Sequence, residues 1–114
     1  MFSHDQLARL ADERAGAFAR HLARRARQRH GSAKALAADE LTRLMREEVD
    51  QARASGQVSR DSLERWSDLA CTLGFGFARE LPWAQRVLAA GRPPAQALRM
   101  LEEGAVFTSR AAAR

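Results

Sequence analysis

Apolar residues recur along this chain at helical spacing, and Gly or Pro residues interrupt the pattern at intervals. In the first segment the apolar positions are three and four residues apart: Leu7, Ala11, Ala15, Phe18, Leu22 and Ala26. Such spacing places these side chains on one face of a helix. Ala and Leu are abundant, whereas Ile and Tyr are absent and Val occurs four times. Because β-branched residues favour strands, whereas Ala and Leu favour helices, we expect an all-α fold.

Capping residues predict where the first two helices begin. Ser3 with Gln6 three residues later is a capping-box pattern, so the first helix is expected to start there and to end near Arg29. We expect residues 30–38 to form a loose connection and Asp39 to cap the second helix. The second helix has an inward set of apolar side chains: Leu41, Leu44, Met45, Val49 and Ala52.

A tight corner is predicted between the second and third helices. Gly56 suits the position just after a helix, and Ser59 is a good N-cap for the next one. Val58 is expected to pack on Leu63 as a hydrophobic staple. Segment 74–77 contains two Gly and two Phe residues, so we expect it to end the third helix in a turn whose Phe side chains enter the core.

Two short helices are expected near the C-terminus. Pro82 suits the first turn of the fourth helix, and the Pro pair at 93 and 94 opens a fifth, which is expected to stop at Gly104. The expected architecture is a small helical bundle of three longer helices plus two short C-terminal helices, forming a single helical domain over residues 1–107. Residues 108–114 are expected to form a frayed tail. The predicted core consists of Phe18, Leu22, Leu44, Val49, Trp66 and Leu73.

The net charge of +5 is carried entirely by the first third of the chain. Residues 1–37 hold eight basic groups against three carboxylates, whereas residues 38–114 hold eleven of each. Several of these basic residues lie on the face of the first helix opposite its apolar stripe. This basic face is either a solvated surface or a binding surface for an acidic protein partner or nucleic acid. Nucleic acid is the weaker alternative because Asp12 and Glu13 interrupt the face and no aromatic residues are interleaved with it. The arginines opposite the apolar stripe are Arg9, Arg20, Arg24 and Arg27.

The sequence contains no recognisable catalytic, cofactor-binding or metal-binding motif. A P-loop is absent, and segment 74–77 gives only the start of a dinucleotide-binding fingerprint. The three His residues are too far apart to share a helix turn, and Cys71 has no Cys or His nearby. We expect Asp61, Glu64 and Asp68 to form a solvated face of the third helix, with an acidic contact patch as the alternative. We therefore expect no cofactor, no metal and no enzymatic activity.

Several features of the sequence bear on where in the cell the protein is found. No apolar run reaches the length of about 18 residues that a membrane span requires, and the apolar face of the first helix is needed for the core. Asp5, Asp12 and Glu13 stand where a signal peptide has an apolar stretch. The single cysteine, Cys71, cannot form an internal disulfide. We therefore expect a cytoplasmic location and no membrane contact.

Residues 56–88 carry a resemblance to a known group of proteins. The elements concerned are 56–59 (Gly-Gln-Val-Ser), 73–77 (Leu-Gly-Phe-Gly-Phe) and 81–84 (Leu-Pro-Trp-Ala). The stretch resembles short helical proteins encoded beside type VI secretion effector modules of Gram-negative bacteria, near adaptor, PAAR and lysozyme-like genes. This resemblance implies an accessory role without catalysis, and it carries over no catalytic residues.

These observations lead to an expected function. We expect a non-enzymatic accessory binding protein, an adaptor or chaperone-like partner of a type VI secretion effector. The alternatives are an immunity protein of the same gene cluster and a nucleic-acid-binding regulator that uses the basic first helix. Trp83 follows a helix-starting Pro, so an anchor into the core is favoured over an exposed contact residue, although both roles stay open. The expected partner-binding residues are Arg20, Arg24, Arg27 and Trp83.

Overall fold

A computed structural model describes residues 3–112 of the chain. Within that range the chain forms seven α-helices and no strand, which confirms the all-α class. The expected set of three longer and two short helices is wrong, because two short connections are themselves helical and the last helix is long. In chain order the helices are α1 (His4–Arg29), α2 (Gly31–Lys34), α3 (Ala38–Ala54), α4 (Arg60–Leu73), α5 (Phe77–Glu80), α6 (Pro82–Ala89) and α7 (Pro94–Ala112).

The chain divides into two compact units, Met1–Glu47 and Glu48–Arg114. The boundary falls within α3, so each unit contains part of this helix. A single domain over residues 1–107 stays a prediction. Among residues 3–112, no helix is both long and apolar enough to cross a membrane.

In the first unit, α1 begins with the predicted capping box. The Ser3 hydroxyl oxygen accepts the Gln6 N–H at 3.2 Å, and the Gln6 side-chain oxygen accepts the Ser3 N–H at 3.0 Å. The predicted apolar stripe is buried only in the second half of the helix, and Leu7 is 52% exposed. Small side chains dominate the buried set, so a neighbouring element can approach this half of α1 closely. The buried residues of α1 are Ala19, Leu22, Ala23 and Ala26.

The connection between α1 and α3 differs from the expectation. Its first part is the short helix α2, where a loose segment was predicted. Asp39 lies in the first turn of α3 and is not its cap, since the helix already begins at Ala38. A carboxylate is favoured in the first turn as it is at the cap, because the amino end of a helix carries partial positive charge. An ion pair between Arg46 and Asp12 links α3 to α1 within this unit.

In the second unit, α3 ends in a Schellman motif, as the position of Gly56 predicts. The Gly56 N–H donates to the Arg53 carbonyl oxygen at 3.0 Å. The Gln57 N–H donates to the Ala52 carbonyl oxygen at 2.9 Å. Gly56 has a φ of +92°, a left-handed conformation that residues with a Cβ atom rarely adopt.

The corner after Gly56 leads directly into α4. Ser59 is the N-cap, as predicted, and its hydroxyl oxygen accepts the Ser62 N–H at 3.0 Å. Gln57 takes the inward position of the corner, where it is buried and donates its side-chain N–H to the Pro94 carbonyl oxygen at 2.8 Å. Val58 consequently faces solvent with 77% of its surface exposed, so the predicted hydrophobic staple is wrong.

A buried carboxylate holds the turn after α4. Glu48 is only 4% exposed, and its Oε2 atom accepts the Trp66 indole N–H at 3.1 Å. Its Oε1 atom accepts the Gly76 N–H at 2.7 Å. Phe77 is buried as predicted, with its ring 5.0 Å from that of Trp66, whereas Phe75 is only half-buried. The turn is therefore fixed by both polar and aromatic contacts.

The last helix does not stop at Gly104. It continues to Ala112, so residues 108–112 have helical backbone, while residues 113–114 of the predicted tail lie outside the described residues. The prediction of a stop is wrong because Gly104 makes room for the Trp83 ring of α6. Of the predicted core, three residues are buried (Leu22, Val49 and Trp66), and three are partly exposed (Phe18, Leu44 and Leu73).

Candidate functional site

Three of the predicted contact residues line one cleft of the first unit. Arg20, Arg24 and Arg27 lie along α1 at intervals of four and three residues, and all three are exposed. Together with Ala23 they form one wall of a cleft of about 190 Å³. The facing wall is the beginning of α3, with Ala38, Asp39 and Thr42. The structure therefore brings the three arginines together beside the amino end of a second helix.

The charge of this cleft is not neutralised within residues 3–112. No ion pair joins Arg20, Arg24 or Arg27 to another residue of that range, although Asp39 lines the same cleft. Other arginines are engaged, and Arg43, for example, contacts Glu47 at 3.1 Å. The cleft combines three guanidinium groups with one carboxylate, so its side chains carry a net positive charge.

The fourth predicted contact residue, Trp83, belongs to the second unit. It is half-buried, and its ring packs against Gly104 of α7. Trp83 does not line the arginine cleft. A packing contact of this kind is what a core anchor makes, and the binding role of Trp83 stays a prediction.

A larger cleft of about 420 Å³ lies in the second unit, between the corner at residues 56–59 and the start of α7. Its polar side chains are engaged with one another or with the backbone. Arg65 contacts Asp61 at 3.5 Å and pairs with Glu102 through two hydrogen bonds, one of which measures 3.0 Å. These polar groups therefore already have partners within the chain.

The ion pair between Arg65 and Glu102 has an electrostatic consequence. The hydrogen bond from Arg65 to Glu102 raises the pKa of Arg65, and the negative charges of Glu102 and Asp61 act in the same direction. Partial burial lowers the pKa but does not outweigh the other causes. Arg65 is therefore permanently charged, and its ion pair with Glu102 links α4 to α7.

Glu48 is a buried carboxylate that the sequence reasoning missed. It follows Met45 by three residues and precedes Ala52 by four, so it lies on the apolar face of α3. A carboxylate on an apolar face is a signal for a buried, hydrogen-bonded group. In the structure this group binds Trp66 and Gly76, which is a structural role.

The His, Cys, Asp and Glu side chains are the potential metal ligands of this chain. In the described part of the chain, no three His, Cys, Asp or Glu side chains are grouped closely enough to hold a metal ion. Cys71 is half-buried on α4. Of the predicted acidic face, Asp61 is exposed and contacts Arg65, whereas Glu64 and Asp68 are half-buried and have partners of their own, so only part of this face is solvated.

Comparison with known proteins gives no match: no protein-family model fits the chain, and no curated protein or solved structure is significantly similar to it. The resemblance of residues 56–88 to proteins of type VI secretion gene clusters therefore stays a prediction from those residues.

Proposed function

We propose that this protein is a non-enzymatic binding protein that docks an acidic surface of a protein partner through Arg20, Arg24 and Arg27. The observation that carries the proposal is the cleft in which these three arginines meet without an ion pair to any residue between 3 and 112. A guanidinium group binds a carboxylate through two parallel hydrogen bonds. One exposed ion pair contributes only about 0–1 kcal/mol, but several together steer association and orient the partner.

The resemblance of residues 56–88 suggests what the partner is. It points to a secreted type VI effector or its adaptor, with this chain acting as an adaptor or a chaperone-like protein. An immunity protein would recognise its effector with the same chemistry, so the binding surface supports either role. The single cysteine favours an encounter in the cytoplasm, where thiols stay reduced.

A nucleic-acid-binding regulator is the second candidate, and one observation favours it. All of the net charge of +5 lies within residues 1–37, which include α1. Against it, Asp39 places a carboxylate in the cleft, and none of the residues that line the cleft is aromatic. We therefore favour the protein partner.

The proposal is tested by affinity capture from cells that produce the protein, with quantitative mass spectrometry. The bait carrying R20Q, R24Q and R27Q is compared with wild type and with a control carrying R53Q, R86Q and R99Q. The control removes the same charge from exposed positions outside the cleft. We expect one protein to be retained by wild type and control, lost from the cleft variant and released by salt. Capture of nucleic acid, or equal capture by all three baits, would overturn the proposal.

A further inference from the structure

We infer that the arginine cleft accepts an acidic helix of the partner, with carboxylates spaced three and four residues apart. This inference rests on the proposed function and names the class of segment that the cleft recognises. Three observations carry it: the spacing of the arginines, the size of the cleft and the position of Asp39.

The spacing of the arginines matches a helix better than an extended chain. Arg20, Arg24 and Arg27 are separated by four and three residues, so they repeat every 4.5–6 Å, roughly, along α1. Carboxylates at positions i, i+4 and i+7 of a second helix repeat over the same distances, and all lie on one face. Side chains on one face of a strand repeat about every 6.6 Å, so an extended peptide loses register across the three arginines.

The size of the cleft indicates that it takes side chains and not a whole ligand. Its volume of about 190 Å³ is below the range of roughly 300–1,000 Å³ that is typical of small-molecule sites. A carboxylate from a neighbouring helix can enter such a cleft while the rest of that helix stays on the surface. The start of α3 adds partial positive charge on the opposite wall.

Asp39 favours a segment that has no negative charge opposite its carboxylate. A nucleic-acid strand carries a negative charge on every nucleotide, so it has no uncharged position to place opposite the Asp39 carboxylate. A helix with three carboxylates can meet the arginines and leave an uncharged or basic residue opposite Asp39. The cleft therefore selects the position of charge as well as its sign.

The inference is tested with two synthetic helical peptides of identical composition in an Ala- and Gln-rich sequence. The matched peptide has Glu at i, i+4 and i+7, and the dispersed peptide has its three Glu residues on different faces. Binding to the full chain is measured by fluorescence anisotropy at low salt. We expect the matched peptide to bind about tenfold more tightly than the dispersed one, and the variant with R20Q, R24Q and R27Q to lose this preference. The control with R53Q, R86Q and R99Q should keep it.

A gain of affinity provides a check that misfolding cannot imitate. The substitution Asp39→Asn removes the carboxylate from the cleft, so it should strengthen binding of the matched peptide severalfold. Equal binding of both peptides, lost in the cleft variant, would overturn the helical spacing but leave the proposed function standing. Equal binding by the cleft and control variants would overturn both. A duplex DNA probe that binds through the same arginines more tightly than the matched peptide would also overturn both.

Discussion

The ring of Trp83 lies so close to Gly104 that a Cβ atom built on this glycine would be 2.7 Å from the Cη2 atom of the ring. This contact packs α6 against α7 in the second unit. Gly is unfavourable inside a helix by about 1 kcal/mol relative to Ala. At Gly104 the missing side chain leaves the space that the indole fills, so the packing gain offsets the local cost.

We predict that Gly104→Ala destabilises the protein by about 1–3 kcal/mol, because the new methyl group must displace the ring of Trp83. The matched control is Gly16→Ala, also inside a helix, where the nearest atom to a new Cβ is Arg20 Nη1 at 3.5 Å. This change should stabilise the protein by up to about 1 kcal/mol. Urea unfolding measures both, and a stabilising Gly104→Ala would contradict the packing described for Trp83.

A double-mutant cycle tests the same contact from the other side. Trp83→Ala removes the ring, so Gly104→Ala should cost much less in that background than in wild type, with a coupling of about 1–2 kcal/mol. The free energy of unfolding of the four proteins gives the coupling. Additive effects would show that the cost of the alanine arises elsewhere. If Trp83→Ala weakens partner binding without changing stability, Trp83 is a contact residue and not an anchor.

The buried carboxylate of Glu48 provides a third prediction. Glu48→Ala removes the acceptor from the Trp66 indole N–H and the Gly76 N–H, so it should cost about 2–4 kcal/mol. The neighbouring Glu47 is exposed and pairs with Arg43, so Glu47→Ala should cost less than about 0.5 kcal/mol. Thermal unfolding followed by circular dichroism compares the two variants. Equal losses of stability in the two variants would contradict the role of Glu48 in joining Trp66 to the turn at Gly76.

The fourth prediction concerns Arg65 and pH. Its side chain is 38% exposed, so solvent screens its ion pairs and Arg65→Gln should cost only about 0.5–1 kcal/mol. The hydrogen bond to Glu102 raises the pKa of Arg65 in the folded state. A cation with a raised pKa contributes stability that is fully present below its unfolded-state pKa and is lost only as the pH rises through the folded-state value. Because an arginine side chain stays protonated between pH 7 and pH 10, the cost should be the same at these two pH values.

Urea unfolding of Arg65→Gln at these two pH values measures the cost. Arg92→Gln, in the exposed loop before α7, is the control and should have little effect at either pH. A cost that disappears by pH 10 would mean that another titrating group, and not the Arg65 charge, is responsible.

Local signals in the sequence predicted much of the secondary structure correctly. Ser3 and Ser59 cap helices, and Gly56 ends one, because each acts through hydrogen bonds or backbone geometry within a few residues. Gly104 misled the sequence reasoning because its role depends on Trp83, a residue 21 positions earlier in the chain. Local patterns do not contain such contacts.

The candidate site was predicted only in part, for the same reason. Helical periodicity places Arg20, Arg24 and Arg27 on one face of α1, which the sequence alone can show. The opposite wall of the cleft, with Asp39, depends on how α3 packs on α1, so only the structure reveals it. The burial of Glu48 but not of Glu47 likewise depends on which face of α3 is covered.

The most direct test of the central claim is to map where an acidic helix binds. The peptide with Glu at i, i+4 and i+7 is titrated into ¹⁵N-labelled protein, and amide chemical shifts are followed by NMR. We predict shifts concentrated in residues 20–27 and 38–42, which contain the lining of the cleft, and their loss when Arg20, Arg24 and Arg27 are replaced by Gln. Shifts confined to other residues, or unchanged by these substitutions, would contradict the claim that this cleft docks an acidic partner.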